Sequence, residues 1–175
     1  VVRGAPGAKV GSVAVCGEAQ VEVSGVMVEG SATCGVSVEG DAALLMRNCE
    51  ISNHNSSGAS VTGNAQLTLV DSRVHCCGGT GVVVADDAVL QATDCSIHHN
   101  DNGHGVAVTS SAASSLRRCE VRDNGRNGVV VTARRGAAPG VPPRPGQPRL
   151  RMESNRLVRN RAYGLAVHGG VAVQW

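Results

Sequence analysis

Side chains able to do chemistry are sparse in this chain of 175 residues, and they fall into three groups. The first consists of metal-ligand types: His75, Cys76 and Cys77, followed by His98 and His99. Imidazole and thiolate are the donors that hold zinc. The second has acid–base character: Asp86 and Asp87, with His104 set between Gly103 and Gly105. A pair of carboxyl groups across one cleft is what glycoside hydrolysis needs. The third is a crowd of guanidinium groups: Arg117, Arg118, Arg122, Arg126, Arg134, Arg135, Arg149, Arg151, Arg156, Arg159 and Arg161. Gathered on one surface, they would steer acidic partners. Which of these groups can meet depends on how the chain is laid out in space.

That layout is written as one phrase repeated seven times. Starting points Ser12, Gly35, Gly58, Gly81, Gly105, Gly128 and Gly164 are separated by 23, 23, 23, 24, 23 and 36 residues. Three places on stand Val15, Val38, Val61, Val84, Val108, Val131 and Val167. Two apolar positions follow, through Val21, Leu44, Leu67, Leu90 and Ser114, then Val23, Met46, Leu69, Ala92 and Leu116. The phrases close on Val28, Ile51, Val74, Ile97, Val121 and Leu157. A period in the low twenties marks a solenoid.

Inside a phrase the apolar residues recur at every second position, the period of a strand and not of a helix. The short runs are parted by Gly, Asn, Asp and Ser, which accept tight turns and positive φ. The expected fold is therefore all-β: a parallel β-helix of about six to seven coils, about 23 residues each, with three short strands per coil. Successive coils would pair strand on strand at ~4.8 Å. Such a coil is narrow inside, which fits a chain without Phe and with Tyr163 and Trp175 as its only aromatics. No apolar run is long enough to span a bilayer. Residues 1–11 read as an N-terminal extension or partial cap, and residues 12–175 as the β-helix. The chain starts without Met, and Trp175 falls in mid-phrase, so it reads as a piece of a longer protein.

The 36-residue interval holds the one departure from the pattern. Residues 133–148 read ARRGAAPGVPPRPGQP and carry five of the six prolines. They are expected to leave the side of the rod as an extended loop. Within them Pro139, Pro142 and Arg144 satisfy P-x-x-P-x-R, a spacing that suits the grooves of SH3-type domains. Charge is uneven as well. Residues 1–116 carry four cationic side chains against eleven acidic ones, whereas residues 117–175 carry twelve arginines against three acidic residues. A solenoid maps sequence onto length, so the rod is expected to be acidic at one end and basic at the other. The basic end would draw an acidic protein partner. Its near-lack of aromatics argues against nucleic acid, whose bases need platforms to stack on.

Register then tests the remaining groups. Counted from Val74 and Ile97, His75 falls on His98 and Cys76 on His99. Neighbouring coils add no further ligand set, so these read as turn residues, and no metal or other cofactor is expected. Cys49, Cys95 and Cys119 share an interior column with Val26, Ser72 and Asn155, where a free thiol acts as a small apolar filler. Buried reduced thiols point to a cytoplasmic or nuclear home. Asn100, Asn124 and Asn160 each stand three places after a closing apolar residue and are expected to bond to one another as a ladder. Asp87 belongs to a turn column with Glu18, Asp41, Asn64 and Ser111, which turn chemistry explains without a calcium-dependent lyase site.

The strings Asp94-Cys95-Ser96-Ile97 through Asn100 to Gly105-Val106, and Arg118-Cys119-Glu120-Val121 through Asn124 to Gly128-Val129, carry a resemblance. They resemble the repeat of right-handed parallel β-helix proteins, and the likeness extends over residues 12–173. With its near-regular period and Cys-x-Ile closing strand, the chain is similar to the intracellular eukaryotic branch that includes the β-helix-bearing F-box-only proteins and the Shc SH2-domain-binding protein. That resemblance implies right-handed coils serving as a rigid platform for recognition or scaffolding. Gly103-His104-Gly105 also resembles an element of the polygalacturonase-type glycoside hydrolases. In that family the acids and the His precede the same strand in neighbouring coils. Here Thr80 holds the place equivalent to His104 one coil earlier, Asp86 and Asp87 follow their strand, and the family's Arg-x-Lys element is missing. The sequence thus reads as a non-catalytic interaction scaffold or substrate-recognition module that meets an acidic partner through its Arg-rich C-terminal coils. A polysaccharide-active lyase or hydrolase and a structural spacer are the alternatives.

Overall fold

The structure is a computed structural model that describes residues 1–5, 7–109, 111–133, 148–169 and 171–175. Its strands form three parallel sheets, one along each side of a three-cornered rod. Sheet A, with eight strands among the described residues, uses five-residue strands such as Gln66–Val70 and Val89–Thr93. Sheet B, with seven, uses three-residue strands such as Arg73–His75. Sheet C, also with seven, uses strands of three or four residues such as Val82–Val84. Each strand pairs with its counterpart in the next coil, so the predicted stacking is what the fold contains.

The columns follow the phrases residue for residue. Val15, Val38, Val61, Val84, Val108, Val131 and Val167 form one column of sheet C. Val21, Leu44, Leu67, Leu90, Ser114 and Leu150 form one of sheet A. Val28, Ile51, Val74, Ile97, Val121 and Leu157 form that of sheet B. Alternation along each strand sends these side chains inward, where those of the middle coils are buried completely. Residues 1–11 join the ladder: Val2–Arg3 pairs with Val23 and Ser24 in sheet A, and Lys9–Val10 with Met27 and Val28 in sheet B.

Corners are turned by residues in the left-handed conformation, and these too stack. Between sheets A and B they are Gly25, Asn48, Asp71, Asp94, Arg118 and Ser154. After sheet B they are Gly30, Asn53, Cys76, His99, Asp123 and Arg159. Asn, Asp and Gly bear a positive φ at least cost, which is why they punctuate the phrases.

Just past the second corner runs the amide ladder. Asn124 Nδ2 donates to Asn160 Oδ1 at 2.9 Å, and Asn100 Nδ2 to Asn124 Oδ1 at 2.8 Å. Each amide also serves the backbone of the preceding coil. Asn160 Oδ1 accepts the Asn124 N–H while its Nδ2 donates to the Val121 carbonyl. The ladder presses on Gly81, Gly105 and Gly128, which open three of the phrases. A Cβ added to Gly81 would lie 2.8 Å from Asn100 Nδ2, and one on Gly105 2.9 Å from Asn124 Nδ2. In these phrases the small opening residue is a steric requirement of the ladder amide.

Candidate functional site

Stacking sorts the arginines by face. Arg117, Arg149 and Arg151 lie on sheet A and point away from the core, because the alternate residues Ser114, Leu116, Leu150 and Met152 are the buried ones. Arg122 and Arg156 lie on sheet B. Arg118 sits at the A–B corner and Arg159 at the corner after sheet B, with Arg126 and Arg161 in the turns beyond it. Arg134, Arg135 and Arg144, together with Pro139 and Pro142, lie outside the described residues. The basic end is thus wrapped over two faces and two corners; it is not one patch.

Five of these nine described arginines are already occupied. Arg118 grips Asp94 with two nitrogens at 2.7 and 2.6 Å, one coil away. Arg159 grips Asp123 in the same way at 2.7 and 2.9 Å, and Arg122 reaches the same carboxylate at 2.7 Å. Arg159 first, and Arg122 after it, hold the Asp123 carboxyl well below the usual carboxylate range. Arg156 pairs with Glu120 at 3.2 Å and Arg117 with Glu153 at 3.4 Å. Among the described residues no ion pair involves Arg126, Arg149, Arg151 or Arg161. Two of these four stand on one strand, Arg149–Glu153, and both are exposed.

Beside them is a trough of about 430 Å³ on the outer face of sheet A, with Gln91, Ser115 and Gln174 on its lining. Register runs Glu22, Leu45, Thr68, Gln91, Ser115, Arg151 and Gln174 down the middle of that face. A second depression of about 330 Å³ lies near its other end, beside Glu22, Leu45 and Thr68. Along this face, the sheet with the longest strands therefore runs from Glu22, 3.7 Å from Arg47, to Arg149 and Arg151, which enter no ion pair among the described residues. Such a surface can hold an extended anionic ligand by charge and by side-chain hydrogen bonds.

The turn carboxylates and His104 take structural posts. Asp86 occupies a left-handed corner, and its Oδ2 accepts the Gly63 N–H at 3.2 Å. Asp41 accepts from Asn64 Nδ2 at 2.8 Å, linking the turn column across coils. His104 Nδ1 accepts the Asn127 N–H at 3.2 Å, and the His104 N–H reaches Thr80 Oγ1, which confirms the one-coil offset read from the sequence. His75 and His98 stack with ring centroids 4.9 Å apart and planes 8° from parallel. Among the described residues no three His, Cys, Asp or Glu side chains are grouped to hold a metal ion. All seven cysteines are free; Cys49, Cys77, Cys95 and Cys119 are buried. Burial pushes the Cys77 thiol up to about 11. The hydrogen bond to Cys119, with burial, pushes the Cys95 thiol up as well.

Residues 11–174 match the right-handed β-helix region. The chain belongs to that family. No curated protein matches it. Among solved structures this β-helix is similar to the periplasmic alginate epimerase AlgG, with 13% identity and a TM-score of 0.56 over 90% of this chain and 46% of that one. It is also similar to the pectate lyase Pel9A, with 13% identity and a TM-score of 0.53 over 81% of this chain and 54% of that one. The chain spans about half the length of these structures, and the likeness is one of fold.

Proposed function

We propose that this β-helix is a non-catalytic binding platform whose outer sheet A face, at its basic end, receives an acidic protein segment. One observation carries the reading: Arg149 and Arg151 are exposed and unpaired among the described residues beside the sheet A trough, while their neighbours are spent on Asp94, Glu120, Asp123 and Glu153. Free guanidinium forks on a rigid sheet are preorganised for carboxylates. The buried thiols suit an intracellular setting, where they stay reduced. A second reading follows from the solved neighbours: the same face would take a uronate polysaccharide, as a binding site or as part of an enzyme.

The test titrates a fluorescent poly-glutamate peptide, and separately polymannuronate and polygalacturonate, into the protein and its Arg149→Ser/Arg151→Ser variant. The platform reading expects peptide binding that weakens with salt and falls at least about tenfold in the variant. Binding or turnover of a uronate polymer without peptide binding establishes the second reading instead. Peptide binding that survives in the variant overturns the assignment to this face.

A further inference from the structure

Sheet B carries a constellation that the platform does not use. His75 Nε2 lies 3.1 Å from Glu50 Oε1 on the preceding coil, and His75 Nδ1 lies 3.3 Å from Cys76 Sγ. The carboxylate can only accept, so the ring carries its proton on Nε2 and turns the Nδ1 lone pair to the thiol. The order thiol, imidazole, carboxylate is that of an activated nucleophile: a base within reach, itself oriented by a third group. Cys76 occupies the left-handed corner position, with φ 54°, and is exposed. His98 stacks beneath the ring; burial first, and the charge of Arg122 after it, push its pKa down to about 4, so it puts no positive charge against a protonated His75.

We propose that Cys76 is a nucleophilic thiol, primed by His75 and Glu50, that accepts covalent modification by α,β-unsaturated carbonyl compounds. In the step the Cys76 proton passes to His75 Nδ1 and sulfur bonds to the β carbon. The electron pair of the C=C bond moves to the α carbon, which takes the proton back from His75. No oxidant or reductant is involved. The site lies on sheet B, apart from the sheet A face, and stands whether or not that face binds an acidic partner.

Acrylamide is the probe, and the exposed Cys16 of the same molecule is the internal reference. Alkylation of each thiol is followed by mass spectrometry of peptides from the natively labelled chain. Cys76 is expected to react at least about tenfold faster than Cys16, since a positioned base contributes on that scale or above it. His75→Gln is expected to bring Cys76 down to the rate of Cys16, and Glu50→Ala to leave it between the two. Protection of the buried Cys49 and Cys95 reports that each variant is folded. Equal rates for Cys76 and Cys16 in the unaltered protein overturn the proposal, as does an advantage that survives in folded His75→Gln. A wild-type rate in Glu50→Ala removes the carboxylate from the relay and overturns it as stated.

Discussion

The corner that joins sheet B to sheet C is closed by amides in the later coils and by His54 and Cys77 in the earlier ones. At the amide end, Asn124 and Asn160 each accept an N–H and donate to a carbonyl of the coil before. At the other end the His54 ring does both jobs: Nδ1 accepts the Ser31 N–H at 3.0 Å, and Nε2 meets the Val28 carbonyl at 3.0 Å. Val28 stands three residues before Ser31, as Val121 stands before Asn124. The position therefore demands a donor and an acceptor at a fixed span, and imidazole supplies them as well as an amide does. Cys77 supplies less. Its thiol donates to the carbonyl of His75 at 3.4 Å, and its backbone N–H is served by Asn100 Oδ1.

The largest loss of stability is expected at the opening glycines. In Gly105→Ala the new methyl would stand 2.6 Å from the Gly128 carbonyl as well as against Asn124, and the backbone of a paired coil cannot step aside. Urea unfolding is expected to show a loss of about 3 kcal/mol, the upper range for overpacking a tight site.

A middle-sized effect separates imidazole from amide. His54 is 2% exposed, and burial holds it neutral by lowering its pKa. An unfolded chain takes its proton first as pH falls, so this contribution is whole above the ordinary histidine pKa of about 6.5 and fades below it. His54→Asn is expected to cost about 1 kcal/mol at pH 7.5 through looser filling of the site. Between pH 6.5 and 5 it should lose stability less steeply than the unaltered protein. Unfolding midpoints across that range check both; His98 and His104, whose pKa values are also lowered, titrate in either protein and cancel.

A buried hydroxyl gives an effect of opposite sign. Ser114 is 5% exposed between Leu90 and Leu150, and among the described residues its Oγ has no hydrogen-bond partner. Here a polar group stands inside without the satisfaction that the ladder gives His54. Ser114→Val is expected to raise stability by about 1 kcal/mol, measured by the same unfolding.

Much of the ladder was legible in the phrases. Asn100, Asn124 and Asn160 announce themselves because one residue type recurs three places after a closing apolar position. His54 and Cys77 hold the same place after Ile51 and Val74, but their types differ from Asn, so no recurring residue marks them. The arginines show the reverse. Their crowding in the last coils is plain in the sequence, yet crowding says nothing of pairing. Asp94 lies 24 residues before Arg118, and Asp123 36 before Arg159. Only adjacent coils bring such groups together, and that leaves Arg149 and Arg151 without an ion pair among the described residues. The Cys76 relay escaped for a related reason: Glu50 comes 25 residues before His75 and reaches it diagonally across one rung.

By itself the sequence determined the period, the inward columns and hence the three-sheeted rod, because a narrow coil admits one register for a repeated apolar pattern. Tertiary structure alone decided which charges are spent and which remain open, and which thiol meets a base. Those outcomes depend on side-chain reach between coils, where an ångström separates a hydrogen bond from empty space.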